Sequence, residues 1–231
     1  ISSYPALAER TLILPGNHDL NVVDRANPAR LELPNSPHKP LRQMRTLSAM
    51  EVLQGARAHV VDRGKGQVGT TLTEMLKPHR DLIAAFSDSP RYRQSRELSR
   101  LWVECFPLIV PPPSGDGIGL IILNSNAETN FSFTNALGIV AAEDVRAALE
   151  IIGQYPNAGW IVALHHHLME YPMPVKAFSE RIGTALINGS WFVRALKPVA
   201  HRVVVMHGHR HIDWMGSTGA LKVVSAPSPV M

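Results

Sequence analysis

Short apolar segments, each bounded by turn or polar residues, recur along the chain and predict buried strands. They lie at residues 11–14, 106–110, 118–126, 159–164, 201–206 and 220–226. The turn sequence "PPPSGDG" separates the second segment from the third, so these two are expected to form a hairpin or two neighbouring strands.

Segments with helical spacing lie between these strands. They cover residues 41–58, 70–86, 92–104, 141–154 and 180–196. In the first of them, Leu41, Met44 and Leu47 recur every three residues, which places them on one face of a helix. The alternation of strands and helices in the second half predicts an α/β fold (an α+β sandwich), in which helices flank a layered, mostly buried sheet.

The length of 231 residues suits a single domain spanning 1–231. Four prolines follow Asn21 and predict a loop, because proline lacks a backbone donor and restricts the residue before it. These are Pro28, Pro34, Pro37 and Pro40. Since three predicted helices lie in the region 24–104, this region is interpreted as a mainly helical cap or insertion.

The charge balance favours an anionic partner. The chain has 23 basic and 19 acidic residues and a net charge of +4, and a small phosphate ester or a nucleic acid would suit that charge. A nucleic acid is not supported further, because no stripe of Lys and Arg alternates with aromatic residues. No apolar run approaches the roughly 20 residues that span a bilayer, so no membrane association is expected.

The one cysteine excludes an internal disulfide and suits a reducing cytoplasm. A nucleophilic thiolate is one reading of Cys105. However, Cys105 lies within the apolar sequence "WVECFPLIV", which favours a buried, unreactive thiol.

Three polar clusters each follow a predicted strand. Asn17-His18-Asp19 follows the first, His165-His166-His167 follows 159–164, and "HGHRH" at 207–211 follows 201–206. Ligands of α/β sheets gather beyond the carboxyl ends of the strands. If the three strands are parallel neighbours, the clusters converge on one pocket.

Several imidazoles beside an amide oxygen suit a transition metal such as Mn, Fe, Co, Ni or Zn. In an extended segment, the spacing H-x-H would direct His209 and His211 to the same side. Other common catalytic patterns are missing from the sequence: G-x-x-x-x-G-K-[ST], G-x-S-x-G and H-E-x-x-H do not occur.

The order of these motifs resembles that of the calcineurin-like metallophosphoesterases. "GNHD" (16–19), a strand followed by His165, and "GHRH" (208–211) are similar to the third, fourth and fifth motifs of that family. The resemblance covers roughly residues 8–23 and 118–228. It implies a metallophosphoesterase-like layered fold and two divalent or trivalent transition-metal ions, which could be Mn, Fe, Zn, Co or Ni.

The resemblance also implies metal ligands. Asn17, through its side-chain oxygen, His165 and His209 would bind the second metal, and His211 would bind the first. His166 is the alternative to His165, which is preferred because it directly follows the strand.

Two further roles follow from the resemblance. His18 would stabilise the transition state and assist the leaving oxygen without binding a metal. Asp19 would orient His18 through its carboxylate, which would fix the imidazole tautomer and raise its basicity.

The chain departs from the family before Gly16. The first two family motifs, D-x-H and G-D-x-x-D, would supply the remaining ligands, yet residues 1–15 contain no Asp and no His. We therefore expect a domain that lacks its first βαβ portion, with one metal or none in this chain and weak or no activity. The intact protein would bind two metals, and an uncovered sheet edge would favour a homo-oligomer.

The function expected from the resemblance is hydrolysis of a phosphate ester by a metal-activated hydroxide. Phosphodiesters and phosphomonoesters are both candidate substrates. One alternative is a nuclease of the same fold. Another is a catalytically impaired or non-enzymatic fragment that serves as a scaffold.

Overall fold

The computed structural model describes residues 5–20, 36–126, 137–168 and 186–227. Its strands are β1 (His59–Asp62), β2 (Gln67–Thr71), β3 (Leu108–Val110), β4 (Ile118–Ile122), β5 (Gly159–Leu164), β6 (Val203–His207), β7 (Trp214–Thr218) and β8 (Leu221–Ser225). Its helices are α1 (Pro5–Ala8), α2 (Asn17–Leu20), α3 (His38–Gln54), α4 (Leu72–Leu76), α5 (Arg80–Asp88), α6 (Tyr92–Glu104), α7 (Ala142–Gln154) and α8 (Gly189–Leu196). Two short 3-10 helices cover Lys77–His79 and Lys197–Arg202.

All eight strands belong to one mixed sheet, in the order β2-β1-β3-β4-β5-β6-β8-β7. The centre is parallel, from β4 through β5 and β6 to β8. The remaining pairs are antiparallel, including the predicted neighbours β3 and β4. An α/β fold with helices around a mixed sheet is therefore confirmed, whereas the metallophosphoesterase-specific fold stays a prediction.

Two hydrophobic clusters cover the two faces of the sheet. Adjacent residues of one strand enter different clusters, as Ile121 and Ile122 do in β4, because successive side chains point to opposite faces. Helices α7 and α8 contribute to the cluster of Ile121, and α3, α4 and α6 contribute to that of Ile122. This burial on both faces explains why the central strands are continuous apolar runs.

The predicted helices are observed in most cases. Helix α3 corresponds to 41–58 but ends at Gln54, and α6 and α7 lie within a residue of the predicted ranges 92–104 and 141–154. The predicted helix 180–196 is helical from Gly189 to Leu196, and its residues 180–185 lie outside the described part of the chain.

Of the region 24–104, the structure describes residues 36–104, which contain four helices, α3 to α6, and also two strands that the sequence analysis did not predict. Strands β1 and β2 extend the main sheet beyond β3. The prediction of helix from residue 70 was wrong at its start, because Thr71 still belongs to β2. Thr71 then caps α4 in a reciprocal capping box with Glu74.

The prediction of a strand at residues 11–14 was wrong. The backbone of Ile13 is paired with a side chain of α3: its N–H donates to Oε1 of Gln54 at 2.7 Å, and its carbonyl accepts from Nε2 at 3.1 Å. The Arg57 guanidinium donates to the carbonyl of Thr11 at 2.8 Å. The apolar character of this segment therefore reflects packing beside α3 rather than pairing within the sheet.

Arg63 and Asp144 link the end of β1 to the first turn of α7. Their closest atoms are 2.5 Å apart, and the Asp144 side chain is only 5% exposed. The same guanidinium donates to the carbonyl of Phe106 at 2.6 Å. These contacts connect the residue after β1 with α7 and with the segment that precedes β3.

The predicted burial of Cys105 is confirmed. Its side chain is fully buried, and burial raises the pKa of the thiol to about 12. The thiol is therefore protonated at neutral pH and is not a nucleophile. Among the residues that the structure describes, no helix combines the length and the apolar character needed to cross a membrane.

Candidate metal centre

Two of the three polar clusters meet because their strands are parallel neighbours. β5 and β6 pair in register, with Leu164 opposite His207. The loops that follow are joined by a hydrogen bond of 3.1 Å from the N–H of Gly208 to the carbonyl of His165. The predicted convergence of residues 165–167 and 207–211 at the carboxyl end of the sheet is thus confirmed.

The cluster at Asn17 reaches the same place without a strand of its own. Asn126, which follows β4, donates to the carbonyl of Pro15 at 2.9 Å. Gly16 lies against the His165 ring, where an added Cβ would stand 3.2 Å from Cε1. Asn17 is buried at the start of α2, and its side chain enters the site from there.

Three polar atoms crowd together at the centre of the site. His165 Nε2 lies 2.8 Å from Asn17 Oδ1 and 2.9 Å from His209 Nδ1. A neutral imidazole nitrogen carries either one proton or one lone pair. If Nε2 is protonated, its single N–H is shared between two acceptors, and if it is not, its lone pair faces the amide oxygen.

These spacings fit a bound cation. Two ligands at right angles, each about 2.1 Å from a metal, are about 3.0 Å apart. The observed separations of 2.8 and 2.9 Å are close to that value. Asn17 Oδ1 and His209 Nδ1 both lie beside His165 Nε2, so a cation bound at this point would have one oxygen donor and two nitrogen donors near it.

A third histidine lies beside them. One ring nitrogen from each of His165, His166 and His209 lies within 4.8 Å of the other two, so these three residues could hold a metal ion. We call them the histidine cluster. Both the preferred residue and its alternative are therefore in the site.

Lowered pKa values favour the neutral form of all three residues of the histidine cluster. Burial, together with the nearby His18 and His211, lowers the pKa of His165 to about 4. Burial also lowers the pKa of His166 to about 2 and that of His209 to about 3. Neutral imidazoles keep a lone pair for a metal ion, so the unprotonated state that ligation requires is already present.

The loop at 208–211 does not have the extended shape that the H-x-H argument assumed. His209 and His211 both adopt the left-handed conformation, with φ of 74° and 55°. This conformation is uncommon for residues other than glycine and is found at functional sites. The loop therefore turns after β6, leaving His209 half-buried and His211 exposed.

His18 and Asp19 lie at the exposed side of the site. Both side chains are exposed, and His18 is near enough to lower the pKa of His165 and of His209. The Asp19 carboxylate accepts a hydrogen bond of 2.8 Å from the N–H of Gly16. The roles of His18 as an acid and of Asp19 as its orienting group stay predictions.

Sequence reasoning missed the contribution of β4. Ser125 is fully buried, and its Oγ lies 2.9 Å from His166 Nδ1. Gly138 packs on the same ring, where an added Cβ would stand 2.4 Å from Cγ of His166. The signal was present in the sequence, because the apolar run of β4 also ends in polar residues, "NSN" at 124–126.

The site therefore draws on the carboxyl ends of three adjacent parallel strands and on the segment before α2. The histidine cluster could hold a metal ion, and Asn17 Oδ1 and His209 Nδ1 both lie within 2.9 Å of His165 Nε2. Neither a scan of protein-family models nor a search of curated proteins found a match to this chain.

Proposed function

We propose that this protein is a metal-dependent phosphoesterase whose site is centred on His165. The observation that carries the proposal is the contact of His165 Nε2 with both Asn17 Oδ1 and His209 Nδ1. That arrangement suits a cation, and the family resemblance of the motifs associates it with phosphate esters. The net charge of +4 also favours an anionic substrate.

In this proposal the residues have separate tasks. Asn17, His165 and His209 would hold a metal ion. When bound, such an ion supplies Lewis acidity toward a phosphoryl oxygen and lowers the pKa of a water molecule. His18, exposed at the rim of the histidine cluster, would donate a proton to the leaving oxygen of the ester.

The burial of the cluster supports the same assignment. His166 is fully buried, and His165 and His209 are half-buried. A site that limits water access strengthens the interaction of its donors with a charged ligand. Of the four residues given a task here, His18 is the one that is exposed to solvent.

A domain that binds one metal without turnover is a second candidate. One observation favours it: within the described ranges, the histidine cluster is the one group of three His, Cys, Asp or Glu side chains close enough to hold a metal. A two-metal phosphoesterase needs a second set of ligands, and the assignment of His211 to such a set stays a prediction.

The test measures metal content and hydrolysis on the same samples. The chain would be loaded with Zn²⁺, Mn²⁺, Co²⁺ or Ni²⁺, dialysed, and analysed by mass spectrometry. p-Nitrophenyl phosphate and bis(p-nitrophenyl) phosphate would then serve as mono- and diester substrates. For this chain, the phosphoesterase proposal predicts bound metal and a weak but metal-dependent release of nitrophenol.

His201→Ala is the matched control, because His201 is an exposed histidine on the 3-10 helix Lys197–Arg202. It should retain full metal content and activity. Bound metal with no hydrolysis of either ester would favour the single-metal scaffold. Absence of bound metal in the unaltered protein would refute both candidates.

A further inference from the structure

One of the two faces of the sheet is covered over only part of its width. On this face, the hydrophobic cluster that contains Ile122 covers β1, β3 and β4. Among the described residues, this cluster has no member from β5, β6, β7 or β8. In the described part of the chain, the side chains of these four strands therefore lack a covering layer on that face.

The alternation of side chains along each strand identifies the residues concerned. Val203 and Val205 of β6 and Trp214 of β7 pack in the cluster of Ile121, so the residues next to them in sequence point to the other face. The same alternation applies to β5 and β8. We call the resulting surface the open face. It consists of Ile161 and Ala163 of β5, Val204 and Met206 of β6, Met215 and Ser217 of β7, and Lys222 and Val224 of β8.

The middle of the open face is an apolar row that crosses the strands. Met206 pairs with Val224, and Val224 pairs with Met215. The side chain of Met206 is 36% exposed and that of Met215 is 77% exposed. Ile161 and Val204 pair with each other beside this row and are half-buried. A contiguous apolar patch on a protein surface marks a site of interaction.

Two charged residues of opposite sign lie on either side of this row. Lys222 pairs with Ser217, which comes two residues after Met215. Asp213 comes two residues before Met215 and continues the alternation of exposed side chains along β7. Both Asp213 and Lys222 are exposed, and neither has an ion-pair partner in the part of the chain that the structure describes.

We propose that the open face binds a second copy of this chain, with the two sheets packed face to face and their strands antiparallel. A twofold axis that crosses the strands at Met215 brings Asp213 of one copy to the level of Lys222 of the partner subunit, and the symmetry forms this pair twice. A twofold axis along the strands would instead set like charges at the same level. Charge complementarity therefore selects the antiparallel orientation, in which the apolar rows of the two copies also meet.

The size of the open face sets the affinity that we expect. Four strands about 4.8 Å apart and about 16 Å long cover about 300 Å² in outline. Stable interfaces bury about 800 Å² on each partner, so the dimer belongs to the weak class with a dissociation constant in the micromolar range. No metal ion or substrate takes part in this contact, so the inference does not depend on the proposed function.

Sedimentation velocity of the full chain measures the association directly. Over a concentration series from about 1 to about 200 µM, which brackets a micromolar dissociation constant, we expect the monomer to be replaced by a dimer. A chain that stays monomeric throughout the series would overturn the proposal and leave the open face to a different polypeptide.

A charge in the middle of the apolar row should separate the two copies. Met215→Glu places a carboxylate where the two faces meet, and we expect the dissociation constant to rise at least about tenfold, because a charge is costly to bury without a partner. Val52→Glu is the matched control and should leave the dissociation constant unchanged, since Val52 is 84% exposed on α3 and lies outside the open face. Circular dichroism checks that both variants fold. Unchanged dimerisation of Met215→Glu would overturn the proposal, because the copies would then meet elsewhere, for example at the outer edge of β7.

Charge reversal tests the antiparallel orientation. Asp213→Lys and Lys222→Glu each set like charges at the same level, and each should weaken the dimer by about threefold to tenfold at low salt. The double variant exchanges the two charges and should recover most of the affinity of the unaltered protein. A double variant that dimerises no better than either single variant would overturn the proposed pairing of the two faces.

Discussion

The backbone N–H of Gly208 donates to the carbonyl of His165 across a distance of 3.1 Å. This bond continues the pairing of β5 and β6 one step beyond the strands, into the two loops that carry the histidines. It fixes the position of one loop relative to the other, and His209 Nδ1 lies 2.9 Å from His165 Nε2. Residues distant in sequence thereby become neighbours in a single site.

Removing the amide oxygen of Asn17 should weaken metal binding. Asn17→Ala deletes one of the three closely spaced donors, and we expect the affinity for Zn²⁺ or Mn²⁺ to fall at least about tenfold. Calorimetric titration of the folded variant measures this change. His201→Ala should bind as the unaltered protein does, and equal affinity in Asn17→Ala would exclude Asn17 as a ligand.

His18 should affect turnover without affecting metal content. Because its proposed task is proton transfer, His18→Ala should lower kcat by about 100-fold or more. Mass spectrometry should find the same metal content as in the unaltered protein. If the metal disappears together with the activity, His18 is a ligand and its proposed role is wrong.

Acid should destabilise the metal-free protein through its buried histidines. Their pKa values are lowered in the folded state, to about 4 for His165 and about 3 for His209. The unfolded chain, with values near 6.5, then binds more protons between these limits. Stability is therefore complete above about pH 6.5 and is lost as the pH falls through the folded values, by about 1.4 kcal/mol per pH unit for each histidine.

Urea unfolding at a series of pH values measures that slope. His165→Gln removes one of the groups and should flatten the dependence, whereas the exposed His201→Ala should leave it unchanged. A free energy of unfolding that stays constant from pH 6.5 to pH 4 would show that these histidines titrate normally in the folded state.

Gly138 should not tolerate a side chain. A Cβ there would stand 2.4 Å from Cγ of His166, so Gly138→Ala must displace the ring or the backbone. We expect a loss of about 1–3 kcal/mol in the free energy of unfolding, which is typical of overpacking. Gly153→Ala is the matched control, because a Cβ at that position of α7 meets nothing within 4 Å.

The free energy of unfolding, measured by heat or by urea, should therefore fall for Gly138→Ala and rise for Gly153→Ala. Gly153→Ala should stabilise the protein by up to about 1 kcal/mol, since alanine is favoured over glycine within a helix. If Gly138→Ala is as stable as the unaltered protein, the close packing of Gly138 on His166 is wrong.

The pair of Arg63 and Asp144 should contribute more stability than a surface ion pair. Burial raises the pKa of Asp144 to about 7 even though Arg63 lowers it, so Arg63→Met leaves a nearly buried carboxyl group without its partner and should cost about 1–3 kcal/mol. Arg80 and Glu51 form a comparable contact of 2.6 Å, but the Arg80 side chain is 55% exposed. Breaking that pair should cost less than about 1 kcal/mol.

A double-mutant cycle measures each coupling. Arg63→Met with Asp144→Asn forms one cycle, and Arg80→Met with Glu51→Gln forms the other. The first should show the larger interaction energy. Equal couplings would mean that the burial of Asp144 adds nothing to the strength of its ion pair.

The parts of the fold that could be predicted are those with a strong local pattern. Strand β5, "GWIVAL", is apolar throughout, and α7 repeats its apolar residues at helical spacing. The residues 11–14 show the limit of that method. An apolar run looks the same whether it pairs with a strand or with a side-chain amide, and Gln54 lies 41 residues away from Ile13.

The candidate site was predictable to a similar extent. The polar residues after β5 and β6 indicated where the site lies, because sheet topology brings the ends of parallel strands together. The turn at His209 and His211 could not be predicted, since their left-handed backbone conformations depend on the surrounding loops. The contact of Ser125 with His166 joins residues 41 positions apart, so no periodic pattern in the sequence could predict it.

The side-chain amide of Gln54 accepts a hydrogen bond from the N–H of Ile13 and donates one to its carbonyl, which attaches the segment before Asn17 to α3. The site therefore rests on two different parts of the fold. His165 and His209 follow strands of the sheet, whereas Asn17 belongs to a segment attached to α3. A metal ion held by all three would act as a cross-link between the sheet and the helical layer. Metal loading would then stiffen the junction between residues 11–20 and the sheet.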